Sequence, residues 1–230
     1  MPLYLLSDDL FFPDPMDSMP DGLLALGGEL SVDRLLLAYE KGIFPWYNPE
    51  DPILWWSPDP RCFLFHSNLR ISKSMRNIRN RQQFKVTFDW DFDQVIRECQ
   101  AAPRKDQDGT WITNDIIQAY TSLHELGVAH SVEVWENNDL VGGLYGVSLG
   151  NMFFGESMFS KKSNTSKLAF ITLSEVLHSK GFVGIDCQIM NDHLASMGAT
   201  DVPKKEFLEA LSTALTQPTL KGSWADLLVT

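Results

Sequence analysis

Long apolar runs are missing from this chain of 230 residues. No stretch approaches the roughly 18 consecutive apolar residues that a membrane span requires, so no membrane association is expected. Cysteine is scarce: Cys62, Cys99 and Cys187 are odd in number and never in CxxC spacing, which points to neither a disulfide framework nor a zinc site. They read as small core residues. The histidines, His66, His124, His130, His178 and His193, fall in neither HxxxH nor HExxH spacing. No metal is expected, and no cofactor. The opening Met-Pro-Leu-Tyr-Leu-Leu-Ser-Asp-Asp lacks a basic region and meets Asp8 and Asp9 too early for a secretory signal, so the expected location is the cytoplasm. Positive charge is also short: 19 Lys and Arg against 30 Asp and Glu leave a net charge of −11. Such a field repels polyanions and argues against wholesale nucleic-acid binding.

The shortage is not uniform. Between Arg70 and Lys85 lie Arg70, Lys73, Arg76, Arg79, Arg81 and Lys85 with no acidic residue among them. Ser67–Asn80 is expected to be helical, with Ile71, Met75 and Ile78 as a narrow apolar stripe and the cations around the rest. In so acidic a chain, an uncompensated basic face suggests a partner bearing phosphates.

With 44% hydrophobic and 21% charged residues the chain is ordinary globular protein, long enough for two unequal domains. Residues 1–62 are expected to form a small N-terminal domain. In it, Ser31 caps a helix carrying Val32, Leu35, Leu36 and Tyr39 on one side, which Gly42 ends. Trp46, Trp55 and Trp56, interleaved with Pro45, Pro49, Pro52, Pro58 and Pro60, exclude a regular helix. Aromatics held by proline make either a packed loop or a stacking platform for a base.

Residues 63–230 are expected to form the second domain. Its pattern reads strand Phe84–Phe88, a helix from Phe92 to Cys99, a charged loop 103–109, and a helix capped by Thr113. Strands Ser131–Trp135, Leu140–Ser148 and Met152–Phe159 follow, then a helix Lys167–Lys180 capped by Ser166, a strand Phe182–Ile189 and a helix near Lys204–Leu215. In an extended Phe182–Ile189, alternation puts Val183, Ile185, Cys187 and Ile189 on one face. Asp186 and Gln188 then share the other, about 7 Å apart. A carboxylate and an amide so placed either grip a substrate group or satisfy each other in a core.

This order, an α/β fold of α+β type with a mixed, mostly antiparallel sheet flanked by helices, resembles the Gcn5-related N-acyltransferases. By analogy, an acyl donor would sit where Met152–Phe159 parts from Val183–Ile189. Dispersed strings add a closer resemblance: Gly22-Leu-Leu-Ala-Leu-Gly-Gly28, Gly42-Ile-Phe-Pro-Trp-Tyr47, Asp51-Pro-Ile-Leu-Trp-Trp-Ser-Pro-Asp-Pro-Arg61, Gly109-Thr-Trp-Ile-Thr113, Leu140-Val-Gly-Gly143, Gly155-Glu-Ser-Met-Phe-Ser160, Ile185-Asp-Cys-Gln188 and Asn191-Asp-His193. The chain resembles the leucyl/phenylalanyl-tRNA protein transferases across nearly its whole length.

That resemblance implies transfer of Leu or Phe, with Met as a further donor, from aminoacyl-tRNA to a protein's N-terminal Arg or Lys, by a monomer, marking the acceptor for N-end-rule degradation. It implies catalytic Asp186, Gln188 and Glu156. It implies Trp46 and Trp111 for the terminal adenosine, with Gly155, and an apolar pocket of Leu144, Phe153, Phe170, Leu173, Leu177 and Ile185. Lys73, Arg76, Arg79 and Arg81 would meet the tRNA. A Gln amide is too weak a base to remove a proton, so Gln188 is expected to aim the amine while Asp186 accepts from its NH2. Cys187, on the other face, is expected to be inert. The rival readings are a coenzyme-A-dependent acyltransferase, a tRNA-binding module and a peptidyl transferase of cell-wall precursors. The first lacks a Gly-rich phosphate cradle, since Phe159-Ser-Lys-Lys-Ser-Asn-Thr-Ser166 has no glycine.

Overall fold

A computed structural model describes residues 3–103 and 110–228. Most of the charged loop expected at 103–109, and Gly109 of the Gly109–Thr113 string, lie outside the described residues. The elements are β1 (Tyr4–Leu6), β2 (Leu23–Gly27), α1 (Val32–Glu40), β3 (Phe44–Pro45), β4 (Leu54–Trp56), β5 (Arg61–Phe65), α2 (Lys73–Asn80), β6 (Lys85–Phe88), α3 (Phe92–Ala101), α4 (Asn114–Glu125), β7 (Ala129–Glu136), β8 (Asp139–Leu149), β9 (Met152–Ser160), α5 (Thr165–Ser179), β10 (Gly184–Gln188), α6 (Asp192–Ser196), β11 (Thr200–Val202) and α7 (Lys204–Leu215).

Two sheets organise them. β1-β2-β4-β3 form a four-stranded sheet, so the Trp/Pro-rich segment is partly strand, not wholly irregular. The larger sheet runs β11-β5-β10-β9-β8-β7-β6. Its pairings are antiparallel except β9 with β10. It is therefore a mixed, mostly antiparallel sheet, with α5 carrying the chain between the parallel pair. Helices cover both faces.

Each face buries its own apolar cluster. One joins α1, α3, α4 and α7 to the small sheet through Leu35, Trp55, Val95, Tyr120 and Phe207. The other lies under α2 and α5 and includes Met75, Leu144, Phe153, Phe170 and Ile185. Buried Lys204 fastens the small sheet's loops to α7, its Nζ donating to Pro15 O, Ser18 Oγ and Ser57 O at 2.6–3.1 Å.

Local signals explain most helix ends. Ser31 and Thr113 accept from Arg34 N and Ile116 N, as the sequence indicates. α2 starts later than expected because Ser72 is its cap, accepting from Met75 N, while 66–68 form a separate 3-10 turn. α5 starts earlier than expected. Asn164, at φ +69, occupies the cap position, and the N–H of Ser166 is taken by Ser160 Oγ at 2.9 Å, so Ser166 is not the cap.

Candidate active site

β9 and β10 pair over Met152–Phe154 and Gly184–Asp186 and then part. At that point each strand carries one extra residue against its other neighbour. On β9, Tyr145 pairs Ser157 and Gly146 pairs Gly155, which leaves Glu156 unpaired. On β10, Phe63 pairs Asp186 and Cys62 pairs Gln188, which leaves Cys187 unpaired, and Gln188 follows at φ +56. Such bulges re-aim side chains.

The β10 bulge corrects the expected alternation. Asp186 and Gln188 do not share a face. Asp186, fully buried, turns toward β5 and is held bidentately by Arg61, Nε to Oδ1 at 2.8 Å and Nη2 to Oδ2 at 2.7 Å. The guanidinium in turn lies 4.8 Å and 4.6 Å from the ring centroids of Phe44 and Phe207. Ile185, Cys187 and Gln188 together line a cleft of about 950 Å³ on the opposite side. Thus Cys187 faces the cleft, contrary to expectation. Its thiol is held well above the ordinary range by the neighbouring Cys62 and by burial, which keeps it protonated and a poor nucleophile.

The expected hydrogen bond from the Gln188 amide to Asp186 is also replaced. Asp186 Oδ1 accepts the Gln188 backbone N–H at 3.0 Å, while Gln188 Nε2 donates to Glu156 Oε1 at 3.2 Å. Tyr120 donates to Glu156 Oε2 at 3.0 Å, and the Tyr39 and Tyr120 hydroxyls are hydrogen-bonded. Burial raises Glu156 from the ordinary 4.5 to about 7, against the opposing pull of the two tyrosine hydroxyls. The same burial pushes both tyrosines well above 10, so they act as neutral donors.

Around this centre the cleft brings together Trp46, Trp111, Leu144, Phe153, Gly155, Glu156, Phe170, Leu173, Ile185 and Gln188. Leu177 is not among its walls; one turn beyond Leu173, it is buried in the core under α5. Trp46 is braced by Trp56, whose Nε1 donates to Trp46 O at 2.6 Å and whose ring lies 5.6 Å away. At Gly155 an added Cβ would meet only Asp186 O and Ile185 Cγ2 at 3.7 Å, so the missing side chain is room in the cleft rather than a packing need. Asn191, Asp192 and His193 line the far rim.

Lys73, Arg76, Arg79 and Arg81 are exposed on or just after α2. The patch is less bare than the sequence suggests, because Glu175 of α5 pairs with Arg79 at 2.8 Å. Lys161 and Lys162 are likewise paired, with Glu98 and Glu136. Sequence reasoning missed Arg61, Tyr39 and Tyr120. A buried Tyr needs a partner for its hydroxyl, and that was the available signal for the tyrosines. Arg61 carried none, being 125 residues from Asp186.

An activated acyl ester and an amine need chiefly to be held together and relieved of one proton, and a deep apolar wall beside a poised carboxylate and amide serves that task. The mixed sheet, with its parallel pair parting at this cleft, is the N-acyltransferase-like arrangement that the order of elements leads one to expect. Residues 63–212 match the family model of leucyl/phenylalanyl-tRNA protein transferase, and residues 28–59 match the model of that family's N-terminal domain. The chain is 52% identical to the leucyl/phenylalanyl-tRNA–protein transferase of Syntrophus aciditrophicus, covering 98% of this chain and 94% of that one. It is 55% identical to that of Syntrophotalea carbinolica, covering 95% of each. The chain belongs to the leucyl/phenylalanyl-tRNA protein transferase family and is an aminoacyltransferase. Similar solved structures include an aminoglycoside acetyltransferase in complex with sisomicin, at TM-score 0.38, 15% identity and coverage of 50% of this chain and 84% of that one. L-PGS from Bacillus licheniformis follows at TM-score 0.41, 13% identity and coverage of 73% and 53%. No helix among the described residues is long and apolar enough to cross a membrane.

Proposed function

We propose that the cleft receives the 3′ end of an aminoacyl-tRNA bearing Leu or Phe, with Met as a further donor, and that the α-amine of an N-terminal Arg or Lys attacks its ester carbonyl. The observation that carries this reading is the Gln188 Nε2 to Glu156 Oε1 hydrogen bond at the cleft wall. With its NH2 given to an ionised Glu156, the Gln188 amide has its carbonyl oxygen left to accept from the attacking amine in the cleft that Gln188 lines. The C–N bond forms, the ester C–O bond breaks, and the amine proton ends on the departing ribose oxygen.

Glu156 is matched to another proton, the one that an acceptor arriving as an ammonium gives up before the attack. Its value of about 7 lies just below the ordinary α-amine range of about 7.7–8.0, so the pair exchanges a proton at little cost near neutrality. Tyr120, backed by Tyr39, keeps Glu156 in place as charge comes and goes. Asp186 does not touch the amine. Paired with Arg61 and bonded to the Gln188 backbone, it fixes the bulge that aims Gln188, and is a positioning residue rather than a base.

Trp46 and Trp111 take the terminal adenosine, and Leu144, Phe153, Phe170, Leu173 and Ile185 take the transferred side chain. Lys73, Arg76 and Arg81 meet the tRNA backbone, with Arg79 a weaker member because Glu175 holds it. The acidic rim at Asp192 and the chain's net charge of −11 suit a cationic acceptor. The enzyme works as a cytoplasmic monomer of two domains, 1–62 and 63–230, and marks its acceptors for N-end-rule degradation. Incubating labelled Leu-tRNA with peptides beginning in Arg, Lys or Ala tests the reading. Label is expected on the first two alone; transfer to none, or to all three, overturns it.

A further inference from the structure

The segment following α7 lies beyond the residues matched by the family model, yet it is fastened at each step. Thr219 Oγ1 accepts from Gly150 N at 2.8 Å, Gly222 N donates to Gly127 O at 3.0 Å, and Trp224 N donates to Asp89 Oδ2 at 2.8 Å. Trp224 itself is 1% exposed. Its indole stacks on His130 with centroids 3.6 Å apart and planes 5° from parallel, and it meets Phe182 edge-on at 6.3 Å.

It also meets Phe153, at 5.9 Å. Phe153 is a wall of the cleft, and Leu144, Phe170, Leu173 and Ile185 share one buried cluster with both rings. The pocket and the socket of Trp224 are therefore two ends of one apolar core. Phe153 is confined on another side by β8, where a Cβ on Gly146 would stand 2.5 Å from its Cε1. A ring so enclosed in a close-packed interior has one resting place while Trp224 is present, and more than one without it.

We infer that Trp224 is a specificity-determining positioning residue, which fixes Phe153 and so sets the depth of the pocket for the transferred side chain. This rests on the pocket assignment made above. Shortening Trp224 lets Phe153 retreat, deepening the pocket for an aromatic side chain and loosening it around leucine. A pocket change of a few carbon atoms shifts selectivity by about tenfold.

The test is single-turnover transfer by the full chain from Phe-tRNA and from Leu-tRNA to an Arg-initiated peptide. Trp224→Ala and Trp224→Phe are compared with Leu211→Ala, a core truncation in α7 away from the cleft walls. The expected result is a Phe-to-Leu rate ratio raised about tenfold in W224A, within about twofold of the original in W224F, and unmoved in L211A. Equal loss for both donors in W224A, or an equal shift in L211A, overturns the inference. Should W224A fail to fold, Trp224→Leu and W224F decide by the same ratio. Wild-type transfer from neither donor overturns the reading of the cleft and this inference with it; wild-type transfer with an unmoved ratio in the variants overturns this inference alone.

Discussion

Asp186 and Glu156 stand on neighbouring strands beside matching bulges, yet they are built for different work. Asp186 has a permanent cation against it and its carboxylate is sealed from the cleft. Glu156, among the described residues, is met by neutral donors such as Tyr120 and Gln188, and lies at the cleft wall. The difference teaches that a carboxylate held by a buried guanidinium is committed to structure. One held by hydroxyls and an amide keeps a proton affinity near neutrality and is free to change charge during a reaction.

The sharpest way to break that comparison is to remove the cation. Arg61→Ala leaves Asp186 buried and unpaired, and should cost about 3–5 kcal/mol by denaturant unfolding. The double variant Arg61→Met with Asp186→Leu should recover most of that stability and keep measurable transfer. Because this variant also loses the Asp186 bond to Gln188 N, its transfer should fall while its rise with pH near 7 is kept; loss of that rise in a stable double variant would mean that Asp186 has a chemical role of its own.

Glu156→Gln should do the opposite. It should leave unfolding within about 1 kcal/mol of the original. Single-turnover transfer should fall about 10²–10³-fold. Gln188→Ala should follow the same pattern, lowering transfer far more than aminoacyl-tRNA binding; equal losses in both would sink its assignment.

A pH profile sharpens the contrast further. Because burial raises Glu156 to about 7, transfer should rise through pH 7 and level off above it, and E156Q should lose that limb. The linkage sign is the reverse for stability. The folded state binds the Glu156 proton more tightly than the unfolded chain, so this contribution is complete below about pH 4.5 and is lost as pH rises through about 7. Unfolding measurements on E156Q against wild type across that window check the sign.

The smallest effect concerns the basic helix. Arg76→Ala should weaken tRNA binding a few-fold and reduce the slope of log affinity against log salt by about one. Arg79→Ala should do less, since Glu175 already occupies it. Equal effects would show that the Arg79 pair opens on binding.

How much of this was legible varied with the range of the interactions concerned. α3, α4 and the β7–β9 meander were readable because their periodicity and turns are local: Thr113 caps, Gly127 ends, Asn137 turns at φ +56. β5 and β11 were not, being short and stabilised by partners far along the chain. The basic patch was readable as charge, but Glu175 comes from another helix. Trp224, in a segment with no pattern of its own, takes its meaning from the strands it touches.

By itself the sequence determined the order of elements from β6 to β10, the family and the residue types gathered at the centre, since periodicity and strings such as Gly155–Ser160 and Ile185–Gln188 carry these without reference to contacts. Only the tertiary structure decided which way the polar residues point. A strand alternates regularly until a bulge intervenes, and a bulge exists only in relation to a neighbouring strand. Pairing with β8 and β5 turned Glu156 and Gln188 toward each other, and the same pairing left Asp186 to Arg61.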